Sequence, residues 1–390
     1  MILFPFSFIL LIRGGYHLLG TINFVILIGI LTVGLWPFNF WPQNKVEWLR
    51  DRNGVHFYGQ GIIFSESSIP LFSSLASTLS PQSSLLSPAP SFSIELWLEP
   101  DTEPNSLPHI FSLYDGQATE PLFIGQWKSS LVLRTRMPDP KRSRPYREIG
   151  LRNALVKGQE RFIAITSDEK GTSIYVNGRM ERAYPNHILI PSEGILSYHI
   201  ILGNSATGKG YWKGNLFRLT VSNRALTGEE ILRHFEDGLK TDQPSPLNEE
   251  GLIALYTFGK RLGRRIQDHI GNHHLRLPDR FEILRRDILT SPRKDFRFNW
   301  SYLKDVIINI LGFIPFGFFV SVYLREKKIR SRFLLFFIPI LLGGCLSLMI
   351  ELLQAYLPTR SSQMTDLLTN ILGTAIGVAI WQRLKAKGQR

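Results

Sequence analysis

Four apolar runs, at residues 18–36, 306–324, 333–353 and 367–381, constrain this chain more than any other feature. A helix needs about 20 mostly apolar residues to cross a bilayer, and the first three runs have that length. The fourth run is short unless it begins at Asp366 or tilts little. Trp36, Pro37 and Trp41 after the first run are typical of a membrane interface, which favours a retained anchor over a cleaved signal peptide. We therefore predict a bundle of about four transmembrane helices.

The distribution of charge predicts how these helices are oriented. A net charge of +13 with a mean hydropathy of 0.00 over 390 residues fits membrane spans with basic flanks, so we expect no nucleic-acid partner. The segment 325–332 between the second and third runs carries five basic residues against one acidic residue. Because short basic loops stay in the cytoplasm, we predict a multi-pass membrane protein with both termini cytoplasmic.

Between the first and second apolar runs the pattern changes to the alternation of β-strands. Residues 92–99 place Phe92, Ile94, Leu96 and Leu98 on one face, which predicts a half-buried strand. Similar strands are predicted at 110–114, 122–126, 131–136, 162–167, 173–177, 200–203 and 215–222. Many short strands separated by turns indicate an antiparallel β-sandwich, which the helix orientation would place outside the cell.

Four segments of this domain allow a more specific assignment of its fold. They are 92–98 (FSIELWL), 162–166 (FIAIT), 174–179 (IYVNGR) and 212–219 (WKGNLFRL). Their order resembles a laminin-G or concanavalin A-like sandwich, a jelly roll, over roughly residues 92–238. The resemblance implies a lectin-like domain. The predicted fold class is thus α+β and multidomain, a transmembrane helical bundle with an inserted extracytoplasmic antiparallel β-sandwich.

These observations predict six regions. They are 1–44 with the first helix, 45–91 with a lead-in segment and a Ser/Pro-rich loop, 92–285 as the sandwich, 286–304 as a basic stalk, 305–382 with the other three helices, and 383–390 as a basic cytoplasmic tail.

Polar residues recur at the borders of the last three apolar runs. A carboxylate and an amide stand four residues apart twice, as Asp305 with Asn309 and as Asp366 with Asn370, so each pair shares one helix face. Polar side chains in membrane helices are costly, and they mark functional sites by default. The orientation predicts that the whole polar set gathers at the outer membrane face: Asp305, Asn309, Glu351, Gln354, Arg360, Asp366 and Asn370. Gly312, Gly317, Gly373 and Gly377 are predicted to let the helices pack closely.

The same motifs, with Pro315 and Pro358, resemble the VanZ-like membrane family over 301–381. The resemblance maps the family's polar set onto the seven residues named above. It also implies a location in the bacterial inner (plasma) membrane and an association with low-level teicoplanin resistance, a glycopeptide-antibiotic phenotype, but it supplies no biochemical activity.

Three interpretations of the polar set stay open. It can be a structural network in which Arg360 pairs with Asp366 or Glu351. It can be a binding site in which Arg360 holds a phosphate or carboxylate of a lipid-linked or phosphorylated envelope component. It can also be a catalytic site with paired carboxylates, so the sequence leaves open whether the protein is an enzyme and assigns no catalytic residue.

The expected partners are membrane lipids and an envelope glycan or lipid-linked precursor. In the sandwich no convincing carboxylate pair for glycoside hydrolysis occurs, which favours binding of a glycan or envelope polymer over cleavage. A scaffold that binds another protein is the alternative. No cofactor and no metal site is predicted, although a divalent cation could bind the membrane carboxylates. Asp168, Asn204 and Asp268 are expected to be turn residues rather than calcium ligands.

Overall fold

The computed structural model describes residues 16–71, 91–117, 119–137, 146–189, 197–240, 250–259, 263–295 and 300–387. Residues 72–90, which make up most of the predicted Ser/Pro-rich loop, lie outside these residues, and of the predicted basic tail only residues 388–390 do. The described chain forms two compact units, one made of the residues up to Phe40 and from Arg286 onward, and the other of Trp41–Arg285.

The second unit contains two antiparallel sheets. In the described residues the first sheet has the order β1-β2-β14-β5-β10-β11-β12, with β15 also paired to β14. Its strands are β1 (Val46–Trp48), β2 (Val55–Tyr58), β5 (Phe92–Pro100), β10 (Arg161–Asp168), β11 (Gly171–Val176), β12 (Arg179–Pro185), β14 (Lys213–Ser222) and β15 (Leu252–Tyr256).

The second sheet has the order β16-β17-β3-β13-β6-β7-β8-β9, with β4 also paired to β13. Its strands are β3 (Ile63–Ser65), β4 (Ile69–Pro70), β6 (His109–Tyr114), β7 (Leu122–Trp127), β8 (Ser130–Arg136), β9 (Tyr146–Leu151), β13 (Ser197–Leu202), β16 (Arg265–Ile266) and β17 (Leu275–Arg276). Four strands of the sandwich, β1 to β4, therefore precede residue 92. They have two to four residues each, too few for alternation to be visible in the sequence.

The core is built from the alternating apolar residues of both sheets. Phe92, Ile94, Leu96 and Leu98 of β5 are all fully buried in it. The opposite face of β5 is buried as well, because helix α2 (Gly228–Lys240) supplies a second small apolar cluster over Trp97. The expectation that β5 is half-buried was therefore wrong, since the sequence pattern did not show that a helix covers its polar face.

Helix α2 begins with a capping box. The backbone N–H of Thr227 donates to Glu230 Oε2 at 2.8 Å, and the Thr227 hydroxyl accepts from the backbone N–H of Glu230 at 3.3 Å. The spacing of Thr227 and Glu230 in the sequence predicts this start.

In its described residues the first unit contains four long helices and one short helix. They are α1 (Tyr16–Leu35), α3 (Pro292–Asp295), α4 (Trp300–Glu326), α5 (Arg332–Gln354) and α6 (Met364–Lys387). The four long helices have the length and composition to cross a membrane, which makes this a membrane protein. The fourth span is longer than predicted, because α6 continues past Trp381 through polar residues. The predicted combination of four apolar helices and an antiparallel β-sandwich is confirmed.

Candidate functional site

Helices α5 and α6 face each other through polar side chains one helical turn apart. Ser347 and Glu351 share a face of α5, and Asp366 and Asn370 share a face of α6, since residues four apart lie above one another. The two helices run in opposite directions, so Ser347 meets Asn370 while Glu351 meets the region of Asp366. We call these four residues the polar seam.

The inner rung of the polar seam is a side-chain hydrogen bond. Asn370 Nδ2 donates to Ser347 Oγ at 2.9 Å, and both residues are buried. The other amide atom, Asn370 Oδ1, is also buried and has no hydrogen-bond partner among the described residues. One more polar group could therefore bind at this rung.

The outer rung centres on Glu351, which is only 1% exposed. Its Oε2 accepts from the backbone N–H of Gln363 at 2.7 Å, and the Ser362 hydroxyl is a further hydrogen-bond partner. The Asp366 carboxyl group is close enough to interact with Glu351 electrostatically. Within the described part of the chain no lysine, arginine or histidine forms an ion pair with Glu351. Buried carboxyl groups in membranes usually have such a partner, so this one is unusual.

A short strand-like contact fixes the loop that carries Ser362 and Gln363. Leu289 donates its backbone N–H to Ser362 Oγ at 3.0 Å, and Thr290 forms an isolated parallel bridge with Gln363. The backbone N–H of Thr290 also donates to the carbonyl oxygen of Ser362 at 3.0 Å. Sequence reasoning missed Ser347, Ser362 and Thr290, because isolated small hydroxyl residues carry no periodic signal.

Two other predicted site residues bind the end of α1. Gln354 Nε2 donates to the carbonyl oxygen of Gly34 at 2.8 Å, and Arg360 donates to those of Trp36 at 3.0 Å and Val33 at 3.3 Å. The last carbonyl groups of a helix have no partner within it, and a cation is favourable there. The expected pairing of Arg360 with Asp366 or Glu351 is therefore corrected, since its guanidinium group caps α1 instead.

The first Asp–Asn pair lies apart from the polar seam. Asp305 is exposed, and the side chains of Asp305 and Asn309 make no hydrogen bond or ion pair with any residue that the structure describes. Asn309 shares its helix face with Phe313 and Phe316, four and seven residues further on, which pack in the apolar cluster with α1. The structure thus does not bring the seven predicted residues into one cluster.

Glycines set the close approach of α4 to α6. A Cβ at any of three glycines would overlap a backbone carbonyl oxygen of the facing helix: Thr374 opposite Gly317, Ile310 opposite Gly373, and Ile314 opposite Gly377. Gly312 is different, because nothing lies within 4 Å of the position of its Cβ. The predicted packing role of Gly312 is thus corrected.

The residues considered as calcium ligands in the sandwich accept hydrogen bonds from backbone N–H groups instead. Asp268 accepts from the backbone N–H groups of Leu255, Ile270, Gly271 and His273, and this is how a buried turn carboxylate is satisfied. Asp168 and Asn204 likewise accept from backbone N–H groups. Among the described residues no group of three histidine, cysteine, aspartate or glutamate side chains could hold a metal ion.

Comparisons with known structures find distant likenesses. A Bacteroides ovatus protein with a proposed carbohydrate-binding assignment is 14% identical to this chain. The aligned region covers 62% of this chain and 62% of the Bacteroides ovatus protein, with a TM-score of 0.38. The Ruminococcus gnavus IT-sialidase CBM40 bound to alpha2,3 sialyllactose is 12% identical to this chain. The aligned region covers 47% of this chain and 96% of the CBM40 chain, with a TM-score of 0.34. The chain spans between 35% and 45% of the length of five botulinum neurotoxin binding domains. None of these is similar enough to transfer a ligand to this chain, and no protein of curated function matches it.

Two family models match separate parts of the sequence. The VanZ/LLP1 model matches residues 254–385, which include α4, α5, all but the last two residues of α6, and the whole polar seam. The model of the concanavalin A-like lectin/glucanases superfamily matches residues 74–232, within the sandwich. Both resemblances expected from the sequence are confirmed. The chain therefore combines a VanZ-like membrane region with an inserted concanavalin A-like domain.

Proposed function

We propose that this protein binds components of the bacterial cell envelope at two places. The sandwich binds an envelope glycan, and the polar seam binds the head group of a lipid-linked envelope component. The observation that carries the second part is Glu351, a carboxyl group buried between α5 and α6 without a cationic partner in the described residues.

The chemistry of the polar seam favours a ligand that donates hydrogen bonds. Glu351 and Asp366 contribute carboxyl oxygens, and Asn370 contributes a buried amide oxygen without a partner. Hydroxyl and ammonium groups donate to such oxygens, whereas a phosphate group would be repelled by them. Arg360, the cation expected to hold a phosphate, already donates to carbonyl groups of α1. We therefore assign the seam to the hydroxyl or amine groups of the head group and not to its phosphate.

The location of the polar seam supports a role at the membrane surface. Gln354 and Arg360 bind the C-terminal end of α1, where the chain passes from the bundle into residues 41–285. Gln354 is the last residue of α5 and Arg360 follows it closely in sequence, so the polar seam lies at the same end of the bundle. The basic loop between α4 and α5 lies at the other end and is assigned to the cytoplasm. This orientation places the seam at the outer leaflet.

The orientation can be tested with single cysteines. In a Cys345→Ser background, a membrane-impermeant maleimide added to intact cells is expected to label Ser361→Cys and not Ser331→Cys. The thiol of the Ser331→Cys variant is expected to react only after the membrane is opened. Labelling of Ser331→Cys in intact cells would invert the protein and contradict the outer-leaflet site.

The proposed seam ligand is tested by what copurifies with the intact protein. Lipids bound to the full chain, extracted in mild detergent and identified by mass spectrometry, are expected to include a lipid-linked glycan that Glu351→Gln no longer retains. Asp305→Asn is the matched control, because it also replaces a carboxyl group by an amide but lies outside the polar seam. The thermal midpoint of each variant is measured alongside.

Two results would contradict the proposal. If Glu351→Gln retains the same lipids as the parent, the seam does not bind them. If the variant loses thermal stability and its lipid content is unchanged, the seam is a structural network. The link to glycopeptide tolerance is a separate part of the proposal, checked by whether expression of the parent, but not of Glu351→Gln, raises the inhibitory concentration of teicoplanin.

A further inference from the structure

A cleft of about 600 Å³ opens on the sandwich, a size in the usual range of ligand sites. Four elements form it: the turn that follows β9, the first residue of β10, the hairpin of β11 and β12, and helix α2. The hairpin turn contains Asn177 in the left-handed conformation, with φ of 50°, next to Gly178. β9 and β12 are the edge strands of the two sheets on this side, so the cleft lies at one side of the sandwich.

The cleft is lined by positive charge. Arg152, Arg161 and Arg179 all contribute to its wall, whereas Glu181 is its one acidic residue. In the described residues none of the three guanidinium groups forms an ion pair, and Arg161 donates to the neutral side chain of Gln159. Like charges that converge on a cleft without acidic partners repel one another, so a bound anion would lower their energy.

Two amide groups add further donors. Asn177 Oδ1 accepts from the backbone N–H of Phe162 at 3.0 Å, and Asn153 Oδ1 accepts from the Ser129 hydroxyl at 3.0 Å. Since each oxygen is used, the NH₂ group of each amide is left as a donor, and neither has a partner among the described residues. Neutral donors beside guanidinium groups suit a ligand that carries hydroxyl as well as anionic groups.

An aromatic ring completes the wall. Phe235 of α2 is partly exposed in the cleft, and the rings of Trp97 and Phe162 hold it in place at centroid distances of 5.6 and 5.8 Å. A fixed aromatic surface next to polar donors is suited to a sugar ring, which offers C–H groups on one face and hydroxyl groups at its rim.

We propose that this cleft binds an acidic oligosaccharide, a sugar chain that bears carboxylate or phosphate groups. The proposal rests on the glycan-binding role proposed for the sandwich and specifies its site and ligand class. Arg152, Arg161 and Arg179 bind the anionic groups, the two asparagine amides bind hydroxyl groups, and Phe235 contacts the sugar ring.

The test uses the full chain in lipid nanodiscs and four tetrasaccharide probes. Tetragalacturonate carries carboxylates, its methyl ester is the matched neutral form, a phosphorylated maltotetraose carries phosphate, and maltotetraose is the neutral form of that probe. We expect tetragalacturonate to bind at least ten-fold tighter than its ester, and the phosphorylated probe shows whether phosphate serves as well as carboxylate.

Variants locate the site. Arg161→Ala and Arg179→Ala are each expected to weaken binding of tetragalacturonate by about ten-fold, the size that one charge-assisted hydrogen bond supplies. Arg147→Ala is the matched control, because this substitution removes the same charge from an exposed position on β9 outside the cleft. Arg179→Lys keeps the charge without the fork of donors and is expected to bind with intermediate affinity.

Each other outcome overturns the proposal in a distinct way. Equal losses in Arg147→Ala and Arg161→Ala would show that net charge, and not the cleft, attracts the probe. Equal affinity for tetragalacturonate and its ester would leave the glycan-binding role intact but refute the acidic ligand. Binding of none of the probes would refute this inference, and silence against a wider glycan array would also refute the glycan-binding role.

Discussion

The contact between α4 and α6 makes a sharp prediction about two glycines of one bundle. At Gly373 of α6, a methyl group would overlap the carbonyl oxygen of Ile310 and approach its Cα to 3.0 Å. At Gly312 of α4, a methyl group would meet nothing within 4 Å. Replacing each glycine by alanine is the same chemical change in two surroundings.

The expected difference in stability follows from the one energy term that the two variants do not share. Both glycines lie inside long helices, so both variants gain the higher helix propensity of alanine, roughly 0.5 to 1 kcal/mol. That gain cancels in the comparison. Gly373→Ala also pays for overpacking, typically about 1 to 3 kcal/mol. The cost lies at the upper end of this range because a backbone carbonyl cannot rotate away from the new methyl group.

The assay is thermal unfolding of the full chain in detergent, followed by the loss of the monodisperse peak in size-exclusion chromatography. Gly312→Ala is expected to unfold at or slightly above the parent's midpoint, and Gly373→Ala clearly below it. Adding Ile310→Ala to Gly373→Ala should not restore stability, since the obstacle is the carbonyl oxygen of Ile310 and not its side chain. Equal midpoints for the two alanine variants, or rescue by Ile310→Ala, would refute the close packing of α4 on α6.

Two further predictions concern the sandwich. The side-chain hydrogen bond from Arg224, aided by donors from the capping box, lowers the pKa of Glu230 from 4.5 to about 2, so its stabilisation of about 1 to 3 kcal/mol is complete above pH 4.5 and is lost as the pH falls towards 2. The stability advantage of the parent over Glu230→Gln should therefore shrink over that interval in denaturant titrations. Trp212→Phe removes the 2.9 Å hydrogen bond from Nε1 to the buried Gln126 Oε1 and should cost about 1 to 3 kcal/mol, whereas the exposed Trp127→Phe should stay within about 0.5 kcal/mol of the parent.

The features that the sequence predicted well are those with a local signal. Long apolar runs predict α1, α4, α5 and α6, because spanning a bilayer demands length and composition together. Alternation predicts the long strands, and the spacing of Thr227 and Glu230 predicts the start of α2. Each of these signals lies within one element, so no knowledge of the neighbours is needed.

The partners of the polar residues had no such signal. Arg360 binds carbonyl groups more than 300 residues earlier, and every residue has a carbonyl group, so the sequence offered the nearby carboxylates as partners instead. Asp305 repeats the motif of Asp366, yet it lies on a part of α4 that no described polar group reaches. Motif spacing predicts which residues share a helix face, but only packing decides what that face meets.

The energetics of the polar seam argue that it serves more than to hold α5 and α6 together. A polar contact between membrane helices contributes on average about 0.6 kcal/mol, and the bond from Asn370 to Ser347 is one such contact. Leaving the other amide atom of Asn370 buried without a partner costs about 1 to 3 kcal/mol, which already exceeds that gain. Burial of Glu351 without a cation in the described residues adds a further cost. Apolar residues at these positions would hold the two helices together without these costs, which supports the proposal that a ligand that donates hydrogen bonds binds the polar seam.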